Sequence, residues 1–398
     1  MDKKRILIVD DSALMRRMES DIINSDNRFS VVGTCTNGLD TYDRVIKAPN
    51  EYDLILCDIN LPKMTGLELL AALGKSKISV KVIIVSALTS MDSKETIQAL
   101  QLGAFDCIKK PESFAEVMGD SFKNTVLEKV ALALKEESGP IHEEATEEAA
   151  AVHKVTEHEF HYERHDDLHA GVPHIVSPMN PREILANITA TKRPHRSMPA
   201  TSKKLVLIAS STGGPKALQE VIPFLPKNIN APVLIVQHMA EGFTGSLAQR
   251  LDQESQIHVV EAANGDRIAK GIVYIAKGGS QMRLKKSGSD YIIELNAQEP
   301  PRNALKPCAD ILFESIAGMD FDDIICCVMT GMGGDGTMGI NALAEKNNIY
   351  VIAQDEPTST VYGMPKVIYE SGLTDVVKPL GQLAQEIIKS TGVQDHGC

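Results

Sequence analysis

Over the first third of the chain, short apolar runs alternate with segments of helical period. RILIVD (Arg5–Asp10), FSVVGTC (Phe29–Cys35), YDLILCD (Tyr52–Asp58), KVIIVSA (Lys81–Ala87) and FDCIKK (Phe105–Lys110) are too short for ordinary helices and rich in aliphatic residues, so each reads as a buried strand. Segments such as SALMRRMESDII (Ser12–Ile23) carry the helical spacing between them. Five strands separated by helices predict a doubly wound α/β unit built on a parallel sheet. The pattern lapses after Lys135, and large aliphatic residues become scarce up to about residue 200. It resumes near Lys204 with LVLIAS, VLIVQHM, IICCVMTG and IYVIAQD, again spaced by helical segments. The stretch from Val259 to Leu284, followed by YIIELN, reads as short strands with glycine turns, which adds a small antiparallel segment to a second α/β sheet.

Composition changes the picture most in the middle. Between Glu136 and His169 there are eleven acids against two bases, and eight of the eleven histidines fall between His142 and His195. Such a stretch buries too little apolar surface to offset its ordering entropy and is expected to be a disordered linker. PREILANI (Pro181–Ile188) is the exception, with the makings of one or two helical turns that dock on a domain. His158, His161, His165 and His169 recur at helical spacing, a face able to bind Zn²⁺ or Ni²⁺, although a solvated acidic tether is the favoured reading. The 398 residues divide into an N-terminal unit (1–135), a linker (136–200) and a C-terminal unit (201–393).

The whole is expected to be globular. Hydrophobic residues make up 43% and charged residues 24%, and no apolar run reaches the roughly 20 residues needed to cross a bilayer. A net charge of −12 argues against nonspecific nucleic-acid binding, since phosphate contacts require a basic face. MDKKRILIVDD lacks the apolar region of a secretory signal, so a cytoplasmic location is expected. The seven cysteines are scattered without metal-site spacing, and five sit in apolar contexts as small buried hydrophobes.

In an open parallel sheet, ligands bind beyond the carboxyl ends of the strands. Asp10 and Asp11 close the first strand, Asp58 the third and Ser86 the fourth, and Lys110 follows the fifth. Carboxylates so close repel one another, and Mg²⁺ with oxygen ligands relieves that repulsion. A carboxylate there can attack a phosphoryl group while the metal, Lys110 and the Ser86 hydroxyl neutralise the developing charge.

The second unit opens on SSTGGPKAL (Ser210–Leu218), which is either a phosphate cradle or a turn presenting a nucleophile. A Walker loop requires lysine after its last glycine and a hydroxyl beside it, and here Pro215 and Ala217 stand instead, so the phosphate reading is the weaker one. The nucleophile reading requires an imidazole and an acid. His238 follows the strand VLIVQ, and Asp335 lies in VMTGMGGDGTMG after another strand, with exposed N–H groups suited to an oxyanion. His258 falls in an expected edge strand and reads as structural.

VDDS, LCDINLPKMTG, VSA and KKP resemble the receiver domains of two-component response regulators. That resemblance implies a flavodoxin-like fold with Asp58 as phosphoacceptor, Asp10, Asp11 and Asp58 around Mg²⁺, and Ser86 and Lys110 as phosphoryl-switch groups. Cys107 stands where many receivers carry an aromatic residue. STGGPKAL, QHMAEGFT, TGMGGDG and DEPTSTVYGMP are similar to the chemotaxis protein-glutamate methylesterases and glutamine deamidases, the CheB family. The second resemblance implies a Rossmann-like α/β esterase domain with Ser211 as nucleophile, His238 as general base and acid, Asp335 as its orienter and the Met332 N–H on the oxyanion. It implies hydrolysis of γ-glutamyl methyl esters without an esterase cofactor, methyl-accepting chemoreceptors as substrate, and a chemotaxis histidine kinase as phosphodonor. The unphosphorylated receiver is expected to pack over the Ser211 rim. Gln281, Leu305 and Lys306 depart from the family pattern close to that rim.

Overall fold

The computed structural model describes residues 3–87, 90–111, 120–135, 180–192, 194–199 and 201–393. The histidine-rich part of the linker and its proposed metal face lie outside the described residues.

The N-terminal unit follows the hydrophobic pattern closely. Strands β1 (Lys4–Val9), β2 (Phe29–Cys35), β3 (Leu54–Asp58), β4 (Lys81–Ser86) and β5 (Asp106–Lys109) form a parallel sheet in the order β2-β1-β3-β4-β5. Helices α1 (Ala13–Asn24), α2 (Gly38–Lys47), α3 (Gly66–Lys75), α4 (Ser90–Gln101) and α5 (Asp120–Leu134) connect and cover it. With helices on both faces the central strands have no polar side, which is why Ile6 to Val9 and Leu54 to Cys57 are all fully buried. Local signals set the helix starts. Ser12 caps α1, and Thr65 and Glu68 form a reciprocal capping box on α3. The strand order reverses between β1 and β3, and the crevice there lies beyond Val9 and Asp58.

The C-terminal unit repeats the plan with seven strands. They are β6 (Lys204–Ser210), β7 (Val233–Gln237), β8 (His258–Glu261), β9 (Ile272–Ile275), β12 (Asp323–Val328), β13 (Ile349–Gln354) and β14 (Val376–Lys378). All neighbours pair in parallel, in the order β14-β13-β12-β6-β7-β9-β8. The antiparallel segment is narrower than the glycine turns suggested. Only β10 (Gln281–Ser287) and β11 (Asp290–Asn296) form it, while β8 and β9 join the parallel sheet. Six helices belong to this unit: α7 (Gly214–Gln219), α8 (Phe243–Glu254), α9 (Ala309–Ile316), α10 (Thr337–Lys346), α11 (Met364–Glu370) and α12 (Leu380–Thr391).

The linker's PREILANI does fold as a docking turn. Helix α6 (Pro181–Ala186) starts with Pro181 at its first position and a capping box between Asn180 and Glu183, and it buries Ile184. The two units share a face. Helix α4 packs on α7 and α8, and one continuous apolar cluster runs from Ile97 and Leu100 to Ala217 and Leu218. The described cysteines are all unpaired, and Cys35, Cys57, Cys308, Cys326 and Cys327 are buried, as expected of small hydrophobes. Among the described residues no helix is long and apolar enough to cross a membrane.

Candidate active site

The larger sheet changes direction between β6 and β12, and three strand ends on that rim bring Ser211, His238 and Asp335 to one place. The Ser211 turn is held on both sides. Its N–H donates to the Thr330 carbonyl at 3.0 Å, and the Gln237 amide donates to its carbonyl at 2.9 Å. The adjacent serine plays a different part. Ser210 is fully buried and donates its hydroxyl to Gln237 at 2.6 Å, whereas Ser211 faces a cavity of about 760 Å³ that His238, Met332 and Asp335 also line. Gly331 permits this approach, because a Cβ there would stand 2.7 Å from the Ser211 Cβ.

Asp335 is the most heavily solvated acid of the site, though protein supplies the solvation. It accepts from His238 Nε2 at 2.7 Å, from the Ala309 and Asp310 N–H groups at 2.6 and 3.0 Å, and from the Cys308 thiol at 3.1 Å. Those two N–H groups open α9, whose own N-cap position, Cys308, makes no side-chain cap. Asp335 therefore caps α9 from another loop and sits at the positive end of its dipole. Burial raises its pKa, but the His238 hydrogen bond and charge, with the two backbone donors, outweigh burial and hold the carboxyl well below the usual carboxylate range. An ionised Asp335 fixes the proton on Nε2 of His238, which leaves Nδ1 as the ring nitrogen able to accept a proton.

Its neighbour is driven the other way. Asp310 is equally buried, and desolvation together with the Asp335 charge pushes its pKa well above the usual range, the opposite direction to Asp335. Nothing in the sequence distinguishes a cap-forming acid from a neutral one; the helix start at Ala309 was the available hint.

Met332 has an N–H with no acceptor among the described residues, on the same cavity wall as Ser211. The Gln281 departure acquires a plain structural account. Its buried amide donates to the Leu305 carbonyl and accepts from the Cys308 N–H, both at 2.9 Å, and so ties β10 to the loop that begins α9. His258 lies on the edge strand β8, bonded to Asp252 at 2.8 Å and away from the cavity lining.

Residues 206–387 match the family described as CheB methylesterase, and residues 6–120 match the response regulator receiver domain. A protein-glutamate methylesterase/protein-glutamine glutaminase of Syntrophomonas wolfei is 36% identical over 98% of this chain and 99% of its own length. One from Desulfotalea psychrophila is 37% identical over 98% of each chain. The chain belongs to the protein-glutamate methylesterase/protein-glutamine glutaminase family. Among solved structures, the methylesterase catalytic domain of Thermotoga maritima CheB is 39% identical, covering 48% of this chain and 99% of its own, with a TM-score of 0.45.

This family member carries a second cluster on the smaller sheet. Carboxylate oxygens of Asp10, Asp11 and Asp58 lie within 4.8 Å of one another, and Lys110 Nζ bridges Asp10 at 2.6 Å and Asp58 at 2.7 Å. Desolvation raises the Asp58 pKa, Lys110 opposes it, and the Asp10 charge adds to it. Lys110 shares in the exchange: burial lowers its pKa, and Asp58 and Asp10 more than restore it. Ser86 ends β4 beside this group, accepting the Lys110 N–H on its carbonyl at 2.8 Å. Three converging carboxylates with one lysine between two of them suit a hard divalent cation such as Mg²⁺.

The receiver meets the candidate active site directly. Thr212, the residue after Ser211, donates its hydroxyl to Asp106 of β5 at 2.7 Å, and Lys129 of α5 binds the same oxygen at 2.6 Å. Residues 106–111 and part of α5 close one side of the cavity. Neither Thr212 nor Asp106 was singled out by sequence, because a bond between residues 106 positions apart leaves no local signature.

Proposed function

We propose that this protein hydrolyses γ-glutamyl methyl esters, and glutamine side-chain amides, on a protein substrate, and that phosphorylation of its receiver controls access to the site. The observation that carries the reading is the His238–Asp335 bond through Nε2, which reserves Nδ1 for a proton from the Ser211 hydroxyl on the same cavity. Ser211 Oγ attacks the ester carbonyl as Nδ1 takes its proton, and the resulting oxyanion is held by the Met332 N–H. His238 returns the proton to the departing methoxide, and methanol leaves an acyl-enzyme. Water, activated by the same nitrogen, then releases the glutamate carboxylate. An amide substrate differs only in releasing ammonia.

In the receiver, Asp58 takes the phosphoryl group, and Asp10, Asp11 and Asp58 are the residues that would hold Mg²⁺. When bound, the ion neutralises charge on the phosphoryl oxygens. Lys110 begins in ion pairs with Asp10 and Asp58 and must exchange partners as Asp58 gains phosphate. Lys110 follows β5, which carries Asp106, so that exchange bears on the strand bonded to Thr212. Family membership supports methylated chemoreceptors as substrate and a chemotaxis histidine kinase as phosphodonor.

The test is methanol release from methylated chemoreceptor membranes with Mg²⁺ and a small acyl phosphate. Release should vanish with Ser211→Ala and lose its phosphodonor stimulation with Asp58→Asn. No release by wild type, or unaltered release by Ser211→Ala, would overturn the reading.

A further inference from the structure

The loop that carries Met332 and Asp335 is unequally secured. Gly331, at its start, donates to the Val361 carbonyl at 3.0 Å, and its own carbonyl accepts from the Gly363 and Met364 N–H groups at 3.0 and 2.8 Å. Asp335, at its end, is fixed by His238, Cys308 and the two N–H groups that open α9. The stretch between them contains two glycines, whose ordering costs more conformational entropy than that of any other residue and relies on outside contacts. Gly333 stands at φ 79°, and the Gly334 carbonyl accepts from the Thr337 N–H at 3.2 Å.

Packing adds to this at two points. Gly363 backs Met332, since a Cβ there would stand 3.0 Å from the Gly333 N and 3.1 Å from the Met332 Cα. A Cβ on Gly334 would stand 2.7 Å from the Ile184 Cδ1 and 2.8 Å from the Val367 Cγ1, so both side chains press directly on that backbone. Val367 belongs to α11 of the same unit. Ile184 comes from the linker helix α6, which packs on α11, and is only 3% exposed.

The chain that follows Ile184 is fastened along the C-terminal unit. Asn341 Oδ1, buried on α10, accepts the Thr189 and Ala190 N–H groups at 3.0 and 2.9 Å, and the Thr189 hydroxyl donates to Glu345 at 2.6 Å. Lys192 pairs with Asp375 at 3.2 Å, and His195 bonds Asp323 at 2.9 Å. This anchored segment lies outside both stretches matched by the family models, 6–120 and 206–387.

We infer that Ile184 is a positioning residue for the hydrolysis: pressed on Gly334 by its anchored segment, it holds the turn from Met332 to Gly334 and so aims the Met332 N–H at the oxyanion. The inference rests on the hydrolase reading given above. Negative charge on the carbonyl oxygen develops only towards the transition state, so an N–H displaced from it slows the chemical step and leaves substrate binding alone. Asp335 does not rely on Ile184 in this way, because its four donors come from His238 and the start of α9.

Initial rates of methanol release from methylated chemoreceptor membranes test this, taken on the full chain with Mg²⁺ and a small acyl phosphate over a range of receptor concentration and pH. Ile184→Ala should lower kcat by about tenfold, short of the roughly 10²- to 10³-fold lost when an oxyanion donor is removed outright, with KM within about twofold. The pH–rate profile should fall uniformly with its midpoint unmoved, because His238 and Asp335 keep their bond. Ile184→Leu retains a δ carbon and should hold kcat within about threefold of wild type. Asn341→Ala, outside the cavity lining, should lower kcat in the same direction, and adding it to Ile184→Ala should change little more, since both act through one contact. A folded Ile184→Ala with wild-type kcat, or one whose loss lies in KM or moves the pH midpoint, would overturn the inference. Undiminished release by Ser211→Ala would instead overturn the hydrolase reading beneath it.

Discussion

Asp58 and Asp335 are the same residue type at the same place in two similar sheets, just beyond or at the carboxyl end of a central strand, yet their surroundings drive them opposite ways. Asp335 has four donors and lies at a helix N-terminus, which holds its pKa low despite full burial. Asp58 has Lys110 and a backbone donor against desolvation and a neighbouring Asp10, and its pKa rises. The difference suits two tasks. An acid that orients a histidine must stay charged and still, and saturated hydrogen bonding achieves both. The acid proposed to attack phosphorus stands instead beside two other carboxylates, where a divalent cation would neutralise the group.

The largest expected effect breaks the saturated partner. Asp335→Asn should lower kcat by about 10³- to 10⁴-fold, because an amide favours the wrong histidine tautomer. It should also lower the Tm, since the charged cap of α9 is lost. The contrasting substitution, Asp58→Asn, should raise the Tm in EDTA by about 2 °C, as it removes a buried charge repelled by Asp10. A Tm that fell in both variants would mean that the two acids are not differently poised.

Next comes the contact between the units. Asp106→Ala removes a charge-assisted hydrogen bond to Thr212 and should raise methanol release without phosphodonor by about tenfold, near the 1.5 kcal/mol such a bond contributes. Unchanged basal release would assign the receiver's hold to the apolar contact of α4 with α7 and α8 alone. Gln281→Ala leaves the Cys308 N–H unpaired and takes one of its two donors from the Leu305 carbonyl, and should cost about 1 to 3 kcal/mol, measured by denaturant unfolding.

The smallest expected effect on turnover sharpens the comparison within the active site. Asp310→Asn copies the protonated form that the raised pKa favours, so kcat should stay within about threefold of wild type, unlike Asp335→Asn. Stability should nonetheless reveal the substitution. A folded-state pKa raised above the unfolded value contributes stability that is full below about pH 4 and lost as pH rises through the folded pKa. The Tm of Asp310→Asn relative to wild type should therefore climb with pH above about 4, and a flat difference would place Asp310 in the charged state.

What could be read from the chain divides along physical lines. Strands buried on both faces announce themselves as apolar runs, so both parallel sheets and the residues at their ends were legible, including Ser211, His238 and Asp335 on one rim. PREILANI was legible because its capping box and apolar spacing are local. The fate of Asp310, the clamp made by Gln281 and the bond from Thr212 to Asp106 were not, since each depends on partners brought together only by folding. Even β8 and β9 illustrate this: their glycine turns suggested the antiparallel segment, but β9 pairs with β7 and β8 with β9, which draws both into the parallel sheet.

The segment that carries Ile184, Thr189 and His195, fastened to the C-terminal unit, also decides where this protein can be recombined. A chimera joined at residue 200 would pair the Ser211 rim of one parent with the Ile184 of another, and an inherited mismatch at Gly334 would follow. A seam placed before Asn180 keeps Ile184 and its anchors with the surface they pack on, so that contact travels as one heritable block with the C-terminal unit and not with the N-terminal one.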